Sequence, residues 1–221
     1  MIFPPNAGHA GPKPDATSRW ELTGELQGGA TFDQRCAHCG RDDLRVIFEV
    51  RQAAPETTCG ICQHCLSKAP VPLEQAGRAM QGPELRDHLN EMAVRSMVRT
   101  CREVLRELLE RRDDNDLREI AVYFDRNAQL SPRRAAMLFL ALSSARLDVD
   151  PRIFEVQTRS TDHRQEFGRL GELEKLVVWP VLSPVVRKRL IALGLAPARY
   201  AAPQGRRTRA IAGQQSVALL A

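Results

Sequence analysis

Aromatic residues are scarce in this chain, at 5% of 221 residues. That shortage weakens any function built on stacking nucleic-acid bases against rings. No apolar run approaches the roughly 18 residues of a membrane-crossing helix, so no contact with a membrane is expected. The first residues lack the charged-then-apolar pattern of a secretory signal, which points to a cytoplasmic setting. The loops that cradle phosphates (GxxxxGK[ST]), bind catalytic zinc (HExxH) or present a nucleophilic serine (GxSxG) are all missing. With five scattered histidines, and none between Gly40 and Thr58, an HNH-type nuclease site is excluded as well. The lone Asp162-His163 pair reads as surface in a loop. The expectation is therefore a protein that is not an enzyme. Acidic residues are also missing from one end: residues 183–221 hold seven Lys/Arg and no Asp/Glu.

Cysteine, by contrast, is concentrated. Five of the six cysteines lie in one stretch, as Cys36-x2-Cys39 and Cys59-x2-Cys62-x2-Cys65. Paired thiolates two residues apart, with a second pair about twenty residues on, suit one tetrahedral Zn²⁺. Two such pairs close the coordination shell, which makes the ion structural. Two ligand sets satisfy the spacing. Cys36, Cys39, Cys62 and Cys65 place the second pair at the start of a helix, whereas Cys36, Cys39, Cys59 and Cys62 leave Cys65 free. His38 and His64 sit inside the knuckle loops, where solvent or a hydrogen bond beyond the thiolates suits them better than replacing one. Cys101 falls on the apolar stripe of a helix and reads as a core thiol.

The periodicities predict an α+β chain, mostly α. Residues 1–17, rich in Pro and Gly, read as a disordered leader. Residues 18–69 form the zinc module, with a short strand near Trp20, Leu22 and Leu26 and another where Leu44, Val46, Phe48 and Val50 alternate with polar positions. Residues 70–82 read as a linker, with a short helix at Leu73–Met80. A helical domain over 83–194, with at most one short hairpin or strand, follows: helices from Pro83 to about Arg112, over Asp116–Arg126, over Arg133–Arg146 and over Val185–Leu193. The last two each start at Leu-Ser-Pro, an N-cap serine followed by proline at the first helical position. Ile153–Arg159 reads as a strand and Gln165–Trp179 as a helix broken by Gly168, Gly171 or Pro180. Residues 195–221 read as a flexible basic tail.

Two basic surfaces stand out. Arg95, Arg99, Arg102 and Arg106 share one face of the long helix, opposite Met97, Cys101, Val104 and Leu108. They form either a phosphate-binding face or a solvated one paired to Glu91, Glu103 and Glu110 at i, i+4. Arg187, Lys188, Arg189, Arg206, Arg207 and Arg209 belong to the acid-free end, where nothing nearby neutralises them. Nucleic acid is the partner that such an arm fits, held through its backbone rather than its bases.

The residues Cys-Ala-His-Cys-Gly-Arg at 36–41 and Ile-Cys-Gln-His-Cys-Leu at 61–66 resemble the treble-clef and zinc-ribbon modules of phage, plasmid and other bacterial proteins. The first knuckle also resembles the zinc-binding domain of ClpX unfoldases, and small zinc-finger subunits of type IV CRISPR complexes have similarly spaced pairs. The ClpX domain recruits adaptors and dimerises. The resemblance therefore implies a second kind of role, a protein partner or a homodimer through the zinc module. It covers about a quarter of the chain, and Cys59 departs from a plain four-cysteine pattern.

Overall fold

A computed structural model describes residues 20–53, 56–69, 72–112 and 114–201. The leader over 1–17 and the end of the chain from residue 202 lie outside the described residues. The fold is mixed α and β, with a five-stranded sheet and mostly helix elsewhere. The strands are β1 (Trp20–Gly28), β2 (Val46–Ala53), β3 (Glu56–Ile61), β4 (Leu73–Gln75) and β5 (Arg78–Met80), in spatial order β3-β2-β1-β4-β5. Among these strands the β1–β4 pairing is parallel and the others are antiparallel. Alternation along the strands sends Trp20, Leu22, Phe48, Val50, Ile61 and Leu73 into one core. The register between β1 and β2 slips between Leu22 and Leu26, where Gly24 at φ +89° forms a bulge.

The hairpin of β4 and β5 corrects the helix expected over Leu73–Met80. Ala76 and Gly77 both take positive φ, 49° and 79°. That is the two-residue turn whose twist matches paired strands, and Leu73 then pairs with Trp20 to extend the sheet. Local helix propensity loses here to burial of Leu73 and Met80.

The helices are α1 (Gln63–Leu66), α2 (Gly82–Arg111), α3 (Asn115–Asn127), α4 (Pro132–Ala145), α5 (Thr161–Arg169), α6 (Glu172–Val178) and α7 (Pro184–Ala192). The helix-compatible stretch after the second knuckle is a single turn, α1. Pro follows the N-cap serine at both Leu-Ser-Pro starts, and Ser183 accepts from the Val186 N–H. The 165–179 segment divides at Leu170–Gly171, while Gly168 stays inside α5. Asp162 and His163 are not in a loop. They lie in the first turn of α5, where Ser160 accepts from the His163 N–H.

The strand expected over Ile153–Arg159 is absent. Asp150 caps a 3-10 turn with Pro151 at its first position, and proline's fixed φ with the missing N–H opposes a strand there. Phe154 instead meets Phe124 edge-on, with ring centroids 5.7 Å apart, and only Val156 bridges, to Leu130. Residues 195–201, expected in the free tail, also pack. Leu195 joins the helical core, Tyr200 stacks on Trp179 at 5.5 Å, and the Ala198 N–H donates to Glu172.

Helix α2 belongs to two cores. Leu85, Leu89 and Met92 at its start pack with the sheet, whereas Cys101, Val104, Leu105 and Leu108 pack with α3 to α7. At 1.5 Å per residue it is about 45 Å long. The seam beside it is tied by polar contacts. The Arg45 guanidinium donates to the Ala93 carbonyl at 3.0 Å, and burial pushes its pKa down. The Asp150 N–H donates to the Ala30 carbonyl at 2.9 Å. Arg152 lies 4.1 Å over the Phe32 ring.

Gly28 fixes how β1 leaves the sheet. Its φ is +124°, and a Cβ there would sit 2.0 Å from the Arg45 carbonyl oxygen. Backbone cannot yield as a side chain tip can. Gly28→Ala is therefore expected to cost at least about 2 kcal/mol, read as a lower urea midpoint in circular dichroism.

Candidate metal centre

The first knuckle sits in the connection from β1 to β2. Gln34 and Leu44 bridge across its base, with N–H···O distances of 3.0 and 3.1 Å. Within it, the Cys36 N–H donates to the Arg41 carbonyl and the Gly40 N–H to the Cys36 carbonyl, each at 2.9 Å. Gly40 takes φ +70°, which lets the chain close around the sulfurs. The Ala37 N–H donates to the Gly60 carbonyl at 2.9 Å, holding this loop against β3. The second knuckle begins where β3 ends. Cys62 is the extended N-cap of α1, and its carbonyl accepts from the Leu66 N–H at 3.1 Å.

These two turns bring Cys36, Cys39, Cys62 and Cys65 together, with all four sulfurs within 4.8 Å of one another. The Cys39 and Cys62 sulfurs are 3.9 Å apart. Tetrahedral coordination with metal–sulfur bonds of about 2.3 Å requires roughly 3.8 Å between sulfurs. The four cysteines could thus hold a metal ion, and a tetrahedral all-sulfur donor set favours zinc or iron–sulfur chemistry. Cys59 lies outside this cluster. It is a strand residue opposite Val50, partly buried against the sheet core. Of the two ligand sets that the spacing allowed, geometry assembles the one containing Cys65.

Electrostatics separates the thiols. Burial of Cys36 raises its pKa, but the backbone N–H groups of Cys39, Cys62 and His38 outweigh that, and it comes down to about 7. The Cys62 N–H reaches the Cys36 sulfur at 3.3 Å. Burial pushes Cys62 and Cys65 up, and lifts Cys59 to about 11. His38 is half-buried and His64 exposed, and neither joins the cluster. Cys101 is fully buried, 3.4 Å from the Ile153 carbonyl, with burial lifting it to about 12 against the opposing pull of Arg45.

The basic residues are dispersed. On α2, Arg95 pairs with Glu91 at 3.0 Å, and Arg102 reaches across to Asp125 of α3 at 2.7 Å. Arg99 and Arg106 are exposed and carry no ion pair among the described residues. Lys188 and Arg189 are exposed on α7 and Arg187 is half-buried. Arg206, Arg207 and Arg209 lie outside the described residues. No helix among the described residues is long and apolar enough to cross a membrane. The chain matches no protein-family model, no curated protein and no solved structure.

Metal analysis of purified variants tests the donor set. Cys39→Ala or Cys65→Ala should lower bound metal from one equivalent towards none, and Cys59→Val should leave it unchanged. Loss in Cys59→Val with retention in Cys65→Ala would reverse the assignment. Because bound thiols must give up their protons, and burial holds the Cys62 and Cys65 protons on, affinity should fall as pH is lowered.

Proposed function

We propose that the protein is a non-enzymatic zinc protein that binds nucleic acid, as a regulator or as part of a nucleoprotein complex. The observation that carries this reading is the acid-free end of the chain. Residues 183–221 hold seven basic residues and no acidic one, and Arg187, Lys188 and Arg189 have no ion-pair partner among the described residues. A polyanion is the counter-charge that such a surface accommodates. The α2 stripe supports the same reading. Arg99 and Arg106 are unpaired, and the Arg95 and Arg102 pairs are more than half exposed, so phosphates compete for those guanidiniums at little cost. The zinc would be structural, since four thiolates leave no open coordination position for chemistry.

A second reading, an adaptor that grips another protein through the zinc module, has its own observation. An apolar cavity of about 300 Å³ lies beside the knuckles, lined by Trp20, Val50, Ile61, Leu66 and Leu73. It has the scale of one large apolar side chain.

Fluorescence anisotropy with labelled mixed-sequence duplex DNA and single-stranded RNA, titrated with KCl, tests the first reading. Affinity should fall linearly in a log–log plot against salt. Removal of residues 202–221, which takes away Arg206, Arg207 and Arg209, should lower the duplex slope by about 2 to 3. A chain that binds neither probe at low salt, or a slope indifferent to that deletion, would count against the arm.

A further inference from the structure

A cleft of about 560 Å³ opens on the metal-bearing half of the molecule, between the first knuckle, α1 and the start of α2. Its apolar lining is Leu44, Val46 and Phe48, and Cys62 of the four-cysteine cluster borders it. Its rim carries Arg41, Gln63, His64, Ser67, Lys68 and Arg86, and no acidic residue lines it. The three cations arrive from three places: Arg41 just past the first knuckle, Lys68 just past α1, and Arg86 on the first turns of α2. All three are exposed, and none of their side chains makes an ion pair or hydrogen bond among the described residues.

This is not the general condition of basic residues nearby. Arg35 pairs with Asp42 at 3.4 Å, Arg51 with Glu21 at 2.7 Å, and Arg78 with Glu84. Those pairs occupy Asp42, Glu21 and Glu84, and with no acidic residue in its lining the cleft is positive. Nor is that charge spent on the cysteines. The hydrogen bonds that reach the Cys36 sulfur from outside the thiols come from backbone N–H groups, that of Cys62 at 3.3 Å, and among the described residues none of the three cations donates to a sulfur.

We infer that this cleft is a second nucleic-acid contact, one that seats a phosphodiester segment of the strand. The inference rests on the proposed nucleic-acid reading and adds a site far along the sequence from the basic arm. Three cations spread around an open cleft suit successive backbone phosphates better than one compact anion. Ser67, Gln63 and His64 add further donors for phosphate oxygens. The apolar lining offers no base-edge code, so the contact positions the strand without reading its sequence. Because Arg41 follows Cys39 by two residues and Lys68 follows Cys65 by three, a filled four-cysteine centre is what holds two of the three cations in place.

The test uses full-length Lys68→Glu/Arg86→Glu and, to remove charge without adding any, Lys68→Gln/Arg86→Gln. Both pairs spare the knuckle residues. With labelled duplex DNA over a KCl series, the Gln pair should weaken binding at least about tenfold at low salt and lower the log–log slope by about 2. The Glu pair should weaken binding further, and bound metal should stay at one equivalent in the Gln pair. If the parent binds but the Gln pair keeps its slope, the cleft is not a contact, and the nucleic-acid reading survives through the arm. If the parent does not bind at low salt, both fall together.

Discussion

Four sulfur atoms within 4.8 Å of one another repel once ionised, and a cation among them turns that repulsion into attraction. With a metal bound, much of the N-terminal half would depend on this. The first knuckle has few apolar side chains of its own. Its contacts are backbone hydrogen bonds to β3 and the buried Cys36. The second knuckle is a single helical turn, too short to be stable by itself. Cross-linking them through one ion would place α1 and the loop before β2 in register with the sheet. It would also hold the side chains that follow each pair towards the same opening.

What the centre organises is transmitted along α2. One helix carries Leu85, Leu89 and Met92 into the sheet core and Cys101, Val104, Leu105 and Leu108 into the helical core. The seam beside it is fastened by Arg45 on Ala93, Asp150 on Ala30 and Arg152 over Phe32. A basic cleft at one end and a basic helix at the other are therefore held on one framework.

Much of this was legible in the residues. The long helix, the helix at 115–127 and the two Leu-Ser-Pro starts follow from apolar spacing and N-cap chemistry, and the strand pattern around Val46–Val50 follows from alternation. The spacing of the cysteines limited the ligand set to two choices. It could not decide between them, because that depends on where β3 ends: Cys59 is still paired to Val50, whereas Cys62 has left the strand. The hairpin at 73–80 was misread because its turn, Ala76-Gly77, is short and its strands are three residues each. Their burial against Trp20 is a long-range fact. Phe154 was misread for the opposite reason, since a real alternation was overridden by Pro151 and by aromatic packing. The cleft rim is not legible in the sequence, because Arg41, Lys68 and Arg86 are isolated charges that only folding gathers.

The parallel pairing of Trp20 and Glu21 with Leu73 and Glu74 bears on how the molecule can be divided. A cassette ending at Ala69 would carry every knuckle cysteine. It would also strip β4 from the edge of β1 and remove the helix that covers the inner face. The exposed strand would be long, apolar on one side and free to recruit a foreign strand, which is the condition for aggregation. Residues 20–92 form the smallest piece that keeps both the edge and the inner face covered. Any transfer of this metal centre to another protein would have to move the start of α2 along with it.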